Sequence, residues 1–183
     1  MKIKTILLAL LLSTSFVGAS YADPQDGSAA FKRGDYKTAF EEFKPLAEQG
    51  HSRSQFMLST LYMFGKGVVK DDDKTFYWLT KAANNPDIIS LSERAEYNFY
   101  LGYLYSKGAG VKVDKNKAFK LMLNAANNNV EAKISVASMY ILGEGVRVNP
   151  ALSKEWMEKY IEGGGKNVFL VKKLSGIIKK FDK

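Results

Sequence analysis

Three consecutive carboxylates, Asp71-Asp72-Asp73, lie between a glycine pair, Gly65 and Gly67, and the aromatics Phe76, Tyr77 and Trp78. Clustered carboxylates can hold a hard cation, and glycine loops can cradle a phosphate. The spacing supports neither chemistry. The residues after Asp71 lack the alternating oxygen ligands of a calcium loop. Further along, Gly163-Gly164-Gly165-Lys166 lacks both the GxxxxGK[ST] spacing and a preceding strand, so it reads as a linker. The single histidine, His51, has no local motif and is expected to be a solvent-facing loop residue. One histidine and no cysteine cannot make a zinc set without relying on carboxylates alone. A nucleophile with its base, a metal cluster or a carboxylate pair would mark an enzyme. None is recognisable, so no catalytic residue, metal or cofactor is expected.

The same stretch recurs, which points to construction instead of chemistry. "YMFGKGVVKD" from Tyr62 returns as "YSKGAGVKVD" from Tyr105 and "YILGEGVRVN" from Tyr140. Each tyrosine is followed at +3 and +5 by glycine (Gly65 and Gly67, Gly108 and Gly110, Gly143 and Gly145), at +6 by valine, and at +9 by Asp71, Asp114 or Asn149. An earlier polar anchor, Asp35, opens "DYKTAFEEFKPLAEQG" with no such glycine loop before it. The unit is about 36 residues, with an insertion over Pro86 to Ser92 expected to separate two helical patterns.

Each unit reads as two antiparallel helices. Apolar residues at helical spacing predict a core stripe of Phe56, Leu58, Leu61 and Tyr62, then Phe99, Leu101, Leu104 and Tyr105, then Ile134, Val136, Met139 and Tyr140. The glycines allow the positive φ at which a helix ends and the chain turns. Asp71, Asp114 and Asn149 are expected as N-caps of the second helices, with Pro150 at a first helical position and Asp72 and Asp73 in a first turn.

Leu101-x-x-x-Tyr105-x-x-Gly108-x-Gly110-Val111-x-x-Asp114, with Ala118-Phe119 and Lys81-Ala82-Ala83, resembles the Sel1-like repeat family, a branch of the tetratricopeptide-related helical repeats. The resemblance covers Gly34 to Glu162 and implies an all-α solenoid, a right-handed superhelix of about four helix pairs. There are departures. The usual small residue of the first helix is Ser54 and Tyr97, the usual alanine of the second is Thr75 and Ser153, and Lys159-Tyr160-Ile161 replaces the third Lys-Ala-Ala, where different packing is expected to begin.

Solenoids bind partners on a concave face made largely of first helices. The positions five and two before each signature tyrosine should lie there: Met57 and Thr60, Tyr100 and Tyr103, Ser135 and Ser138. Tyr97, Tyr100 and Tyr103 would form an aromatic ridge, of the kind interface hot spots favour. The alternative is that Tyr97, and with it Tyr100, packs against the Pro86 to Ser92 insertion.

Lys2, Lys4, the apolar run Ile6 to Leu12 and Ser20-Tyr21-Ala22 form a signal-peptide pattern, so residues 1–22 are expected to be removed. A periplasmic protein is expected, with no cysteine for lipid attachment or disulfides. The net charge of +8 is concentrated at the ends. Lys166 to Lys183 holds six lysines against Asp182, while Asp23 to Gly165 is nearly neutral, which is no nucleic-acid footprint. Residues 166–183 are expected to form a basic amphipathic helix, with Val171, Leu174, Ile177, Ile178 and Phe181 on one face. It would cap the solenoid formed by residues 23–165, or meet an acidic partner or anionic lipid.

The resemblance implies a monomeric, non-catalytic protein-binding scaffold without stable membrane insertion, for example a regulator of envelope signalling or of a cell-wall enzyme. An immunity protein neutralising a secreted toxin is the alternative. A β-lactam or peptidoglycan-active enzyme is the least favoured reading, because the members proposed to bind or cleave β-lactams are cysteine-rich.

Overall fold

In a computed structural model of the chain, which describes residues 23–88 and 90–181, every helix begins at a residue whose side chain caps it. The helices are α1 (Pro24–Arg33), α2 (Tyr36–Glu48), α3 (Ser52–Phe64), α4 (Asp72–Ala83), α5 (Leu91–Lys107), α6 (Lys115–Ala125), α7 (Val130–Leu142), α8 (Pro150–Glu162) and α9 (Val168–Ile178). The sequence-based signal-peptide assignment lies outside the described residues.

Asp71, Asp114 and Asn149 accept from the N–H groups of Lys74, Lys117 and Leu152 at 2.9, 2.8 and 3.0 Å. Asp35 does the same for Thr38. His51 is exposed, as expected, but it is more than a loop residue. It caps α3, with Nδ1 accepting from the Ser54 N–H at 3.2 Å and lying 2.7 Å from the Ser54 hydroxyl.

The aspartate caps make stability acid-sensitive. Hydrogen bonds from the Thr38 hydroxyl and N–H lower the pKa of Asp35, and those from the Lys74 N–H and ammonium lower that of Asp71. A carboxylate with a depressed folded-state pKa contributes stability that is present above its unfolded value, 3.8 here, and is lost as pH falls through the folded value. Asparagine caps as well but does not titrate. The Asp35→Asn/Asp71→Asn protein should match the parent in urea at neutral pH and lose less stability below pH 3.8. Parallel acid limbs for the two proteins would refute this role.

The helices stack as four antiparallel pairs, α1/α2, α3/α4, α5/α6 and α7/α8, closed by α9. Among the described residues there is no strand. Within the pairs, Ala39, Thr75, Ala118 and Ser153 occupy one repeat position, four residues after each anchor, and are fully buried. The two hydroxyls at this alanine position are satisfied by carbonyls, Thr75 by Asp71 and Ser153 by Ala137 of the facing helix, each at 2.7 Å.

Between pairs, the signature residues form a repeated joint. The N–H of Asp71, Asp114 and Asn149 donates back to the carbonyl of Tyr62, Tyr105 and Tyr140 at 3.2, 3.0 and 2.9 Å, which closes the loop. Gly67, Gly110 and Gly145, all at positive φ, then press against the carbonyls of Tyr36, Asp72 and Lys115, the first residue of the preceding second helix in each case. The signature tyrosines are half-buried at this joint and not in the core stripe. Each stands edge-to-face on an aromatic of the preceding pair, Tyr62 on Phe40, Tyr105 on Phe76 and Tyr140 on Phe119, with centroids 5.2–5.8 Å apart.

The insertion is only partly a loop. Ser90 caps α5, so Leu91 and Ser92 are helical, and α5 runs to 17 residues against 13 for α3 and α7. Ile88 from the remaining loop is buried in one cluster with Phe56, Leu79, Tyr97 and Leu101.

At the other end, Tyr160 is fully buried where two preceding pairs have alanine (Ala82 and Ala125), and its hydroxyl accepts from the Asn167 N–H at 2.8 Å. Gly165 lies flat on its ring. Leu174 and Ile178 of α9 join Tyr160, Met157, Ile134 and Ile141 in one core. The Gly163–Gly165 segment is therefore a tight connector folded onto a side chain. Phe181 does not share the buried face; it is 55% exposed.

Candidate protein-binding groove

The first helices of three successive pairs, α1, α3 and α5, line two adjoining cavities. The smaller, about 370 Å³, lies among Phe31 of α1, Arg53, Phe56, Met57 and Thr60 of α3, and Glu96 and Tyr100 of α5. The larger, about 720 Å³, runs between Met63 and Phe64 on one side and Phe99, Tyr100, Tyr103 and Leu104 on the other. Tyr100 borders both, so the two form one groove with an aromatic divide.

This groove exists because side-chain size changes from repeat to repeat. Phe56 is buried under the next pair, where Tyr97 stacks on it at 4.8 Å and Tyr100 tilts over it at 5.5 Å. The corresponding positions one pair later are Ala132 and Ser135. These small side chains cover Phe99 less fully: it packs against the cluster that holds Ala132, as the core stripe predicts, but stays half-buried and lines the larger cavity. Phe64, at 56% exposure, and Tyr103, at 44%, are likewise uncovered.

Of the residues expected on the binding face, the structure brings Met57, Thr60, Tyr100 and Tyr103 to the groove. Ser135 and Ser138 of α7 line neither cavity, and the Ser135 hydroxyl turns back to the Glu131 carbonyl. Thr60 similarly donates to Phe56 within its own helix, so it offers mainly its methyl. The alternative reading holds for Tyr97, which packs at the insertion, so a ridge of three tyrosines is corrected to two, Tyr100 and Tyr103. Tyr97 is fully buried, packed in the cluster that holds Ile88 of the insertion, and its hydroxyl makes no hydrogen bond with the described residues.

Sequence reasoning missed Phe31, Phe64 and Arg53. Phe31 precedes the first recognisable repeat, and Phe64 is the last residue of α3, directly before the glycine turn that dominates the signature. Arg53 pairs with Glu96 at 2.8 Å across the α3–α5 boundary and lies 5.2 Å from the Phe56 ring centre. Burial is the largest single influence and opposes its charge, but the hydrogen bond and negative charge of Glu96, with Tyr97, together outweigh it and raise the pKa. Burial, with the nearby Glu96, also raises the pKa of Tyr100, so its hydroxyl stays neutral and able to donate.

At the rim, Lys32, Arg53, Lys70 and Lys107 face only Glu96 and Asp72. Arg53 engages Glu96, and Lys70 engages Asp72 at 3.2 Å. The groove thus carries a modest positive charge. Its chemistry is that of a receptor for apolar and aromatic side chains. Among the described residues, no group of three or more His, Cys, Asp or Glu side chains is placed to hold a metal ion.

Stacked antiparallel helix pairs with a groove along their first helices define a helical-repeat scaffold. The chain belongs to the Sel1 repeat family, whose model matches residues 52–87, 95–130 and 130–164, the α3/α4, α5/α6 and α7/α8 pairs. The family's repeats build surfaces for protein–protein interaction. Two exopolysaccharide production negative regulators, from Rhizobium leguminosarum bv. viciae and Rhizobium meliloti (strain 1021), are 28% and 27% identical over 147 residues. The matches cover 75% of this chain and 55% and 54% of the relatives, so the chain spans about half their length. A Sel1 repeat protein from Oxalobacter formigenes shares the fold, with a TM-score of 0.67 at 23% identity over 81% of this chain and 58% of that one.

Proposed function

We infer that this chain is a non-catalytic scaffold, exported to the periplasm, that regulates an envelope protein by holding one of its segments in the α1–α3–α5 groove. The observation that carries this reading is the exposure of aromatics within the groove. Phe64, Phe99, Tyr100 and Tyr103 line one cavity, while Phe56, Leu58 and Leu61 of α3 and Ala95, Leu101 and Leu104 of α5 are buried in the solenoid. Aromatic anchors in a partly enclosed groove are what dominates binding energy at protein interfaces. The curated relatives support a regulatory role, since both carry that description.

The test is crosslinked capture from a periplasmic extract of the native organism, followed by titration of the recovered partner. Tyr100→Ala/Tyr103→Ala should weaken binding about 30-fold or more, as for two hot-spot truncations. Ser135→Ala/Ser138→Ala should leave it within about threefold, because these residues lie outside the groove. Equal binding by the tyrosine variant and the parent would refute the groove. A toxin as the single partner would redirect the role to immunity while leaving the site in place.

A further inference from the structure

Helix α9 buries one face against the last pair and leaves the other without a partner. Leu174 and Ile178 point into the solenoid. The opposite stripe, at helical spacing, is Phe169, Lys172, Lys173 and Gly176, all exposed, and exposed Lys180 follows in the turn after the helix. Phe169 is 78% exposed, and Val168 beside it 60%. From Gly163 to Phe181 there is no aspartate or glutamate, whereas Lys166, Lys172, Lys173, Lys179 and Lys180 all lie within this segment. Among the described residues none of these five makes an ion pair. Lys154 of α8, beside Ile178 and Lys179, extends the basic surface. A terminal cap needs only a polar outer face. It needs neither a projecting phenylalanine nor charge of one sign.

We propose that the outer face of α9 is a peripheral docking site for an anionic phospholipid bilayer, with the lysines over lipid phosphates and Phe169 and Val168 entering the headgroup boundary. Charge complementarity selects the occupant. The charged residues from Gly163 to Phe181 are all lysines, and Phe169, Lys172, Lys173 and Gly176 line neither cavity at the seam between α8 and α9. An extended anionic plane matches this shape, whereas a bound peptide needs a groove such as the one on α1, α3 and α5. Attachment is to the membrane surface, since no described helix is long and apolar enough to cross a membrane. Basic amphipathic helices with aromatic residues beside their lysines bind in this way.

The chain from Asp23 to Lys183 contains all nine described helices and their four hydrophobic clusters, and its folding is checked by circular dichroism. It is floated with vesicles of equal parts phosphatidylglycerol and phosphatidylcholine, and with pure phosphatidylcholine. Binding is expected to the first only and should fall steeply with added salt. Lys172→Gln/Lys173→Gln should weaken it roughly 30-fold at low salt. Phe169→Ser should weaken it without changing the salt dependence. The salt titration of the unsubstituted chain reads the same electrostatics without any variant. Binding to neither vesicle, equal binding to both, or no response to salt would overturn the proposal. So would a soluble polyglutamate peptide that binds as tightly as the vesicles and ignores Phe169→Ser, which would assign the face to an acidic polypeptide. Free glycerol phosphate that displaces the protein at equal phosphate concentration would overturn it too, because recognition would then be of the headgroup alone.

Discussion

Gly110→Ala should abolish cooperative folding or cost about 4 kcal/mol or more, the range reserved for severe backbone and packing lesions. Two effects combine. Gly110 has φ +65, where an L side chain costs roughly 1–2 kcal/mol. Its Cβ would also fall on the Asp72 carbonyl and beside the Asp73 Cα, the first turn of a helix from the preceding pair. That obstacle is backbone, fixed by the N-cap Asp71, and cannot rotate away as a flexible side chain would. The control is Gly34→Ala, at φ +81 with open space around it, which should lose only the conformational term of roughly 1–2 kcal/mol. Urea unfolding of both proteins separates strain within a loop from failure of a joint between repeats. Similar losses in the two would show that the joint contributes nothing.

Tyr160→Ala should cost roughly 3–5 kcal/mol, as for other large aromatic truncations in cores, and should release α9. Alanine is the residue at the matching position of two preceding pairs, so the change looks like a repair of the repeat. Here it empties the space on which Gly165 rests and removes the hydroxyl that accepts from the Asn167 N–H. Tyr160→Phe removes the hydrogen bond alone and should cost about 1 kcal/mol. Protease cleavage between Gly163 and Asn167, with hydrogen exchange in α9, reports the release. If Tyr160→Ala lowers stability while α9 stays fully protected, the ring stabilises the last pair without anchoring the cap.

These two positions show how far a linear reading reaches. The glycines of the signature were legible as turn residues because positive φ is a local property. That the second glycine of each loop is also a contact surface was not legible, because the carbonyl it meets lies 38 residues earlier, Asp72 against Gly110. Tyr160 was legible as a departure from the repeat, and new packing was expected there. What it packs against required the connector to fold back. The sequence left Tyr97 open between a surface ridge and packing against the insertion, and the structure decides for the second, since Ile88 of the insertion joins the cluster that encloses it.

Period, caps, turns and the pairing of helices depend on residues within a few positions of one another, and the sequence by itself determined them. The groove was decided only by the tertiary structure. Phe56 and Phe99 occupy the same repeat position, and one is buried while the other is only half-buried and lines the larger cavity. The difference lies in the next pair, where Tyr97 and Tyr100 cover the first and Ala132 and Ser135 leave the second open. A repeat signature records what each unit needs in order to fold; the neighbour's volume at the shared boundary decides which of its aromatics remain available for binding.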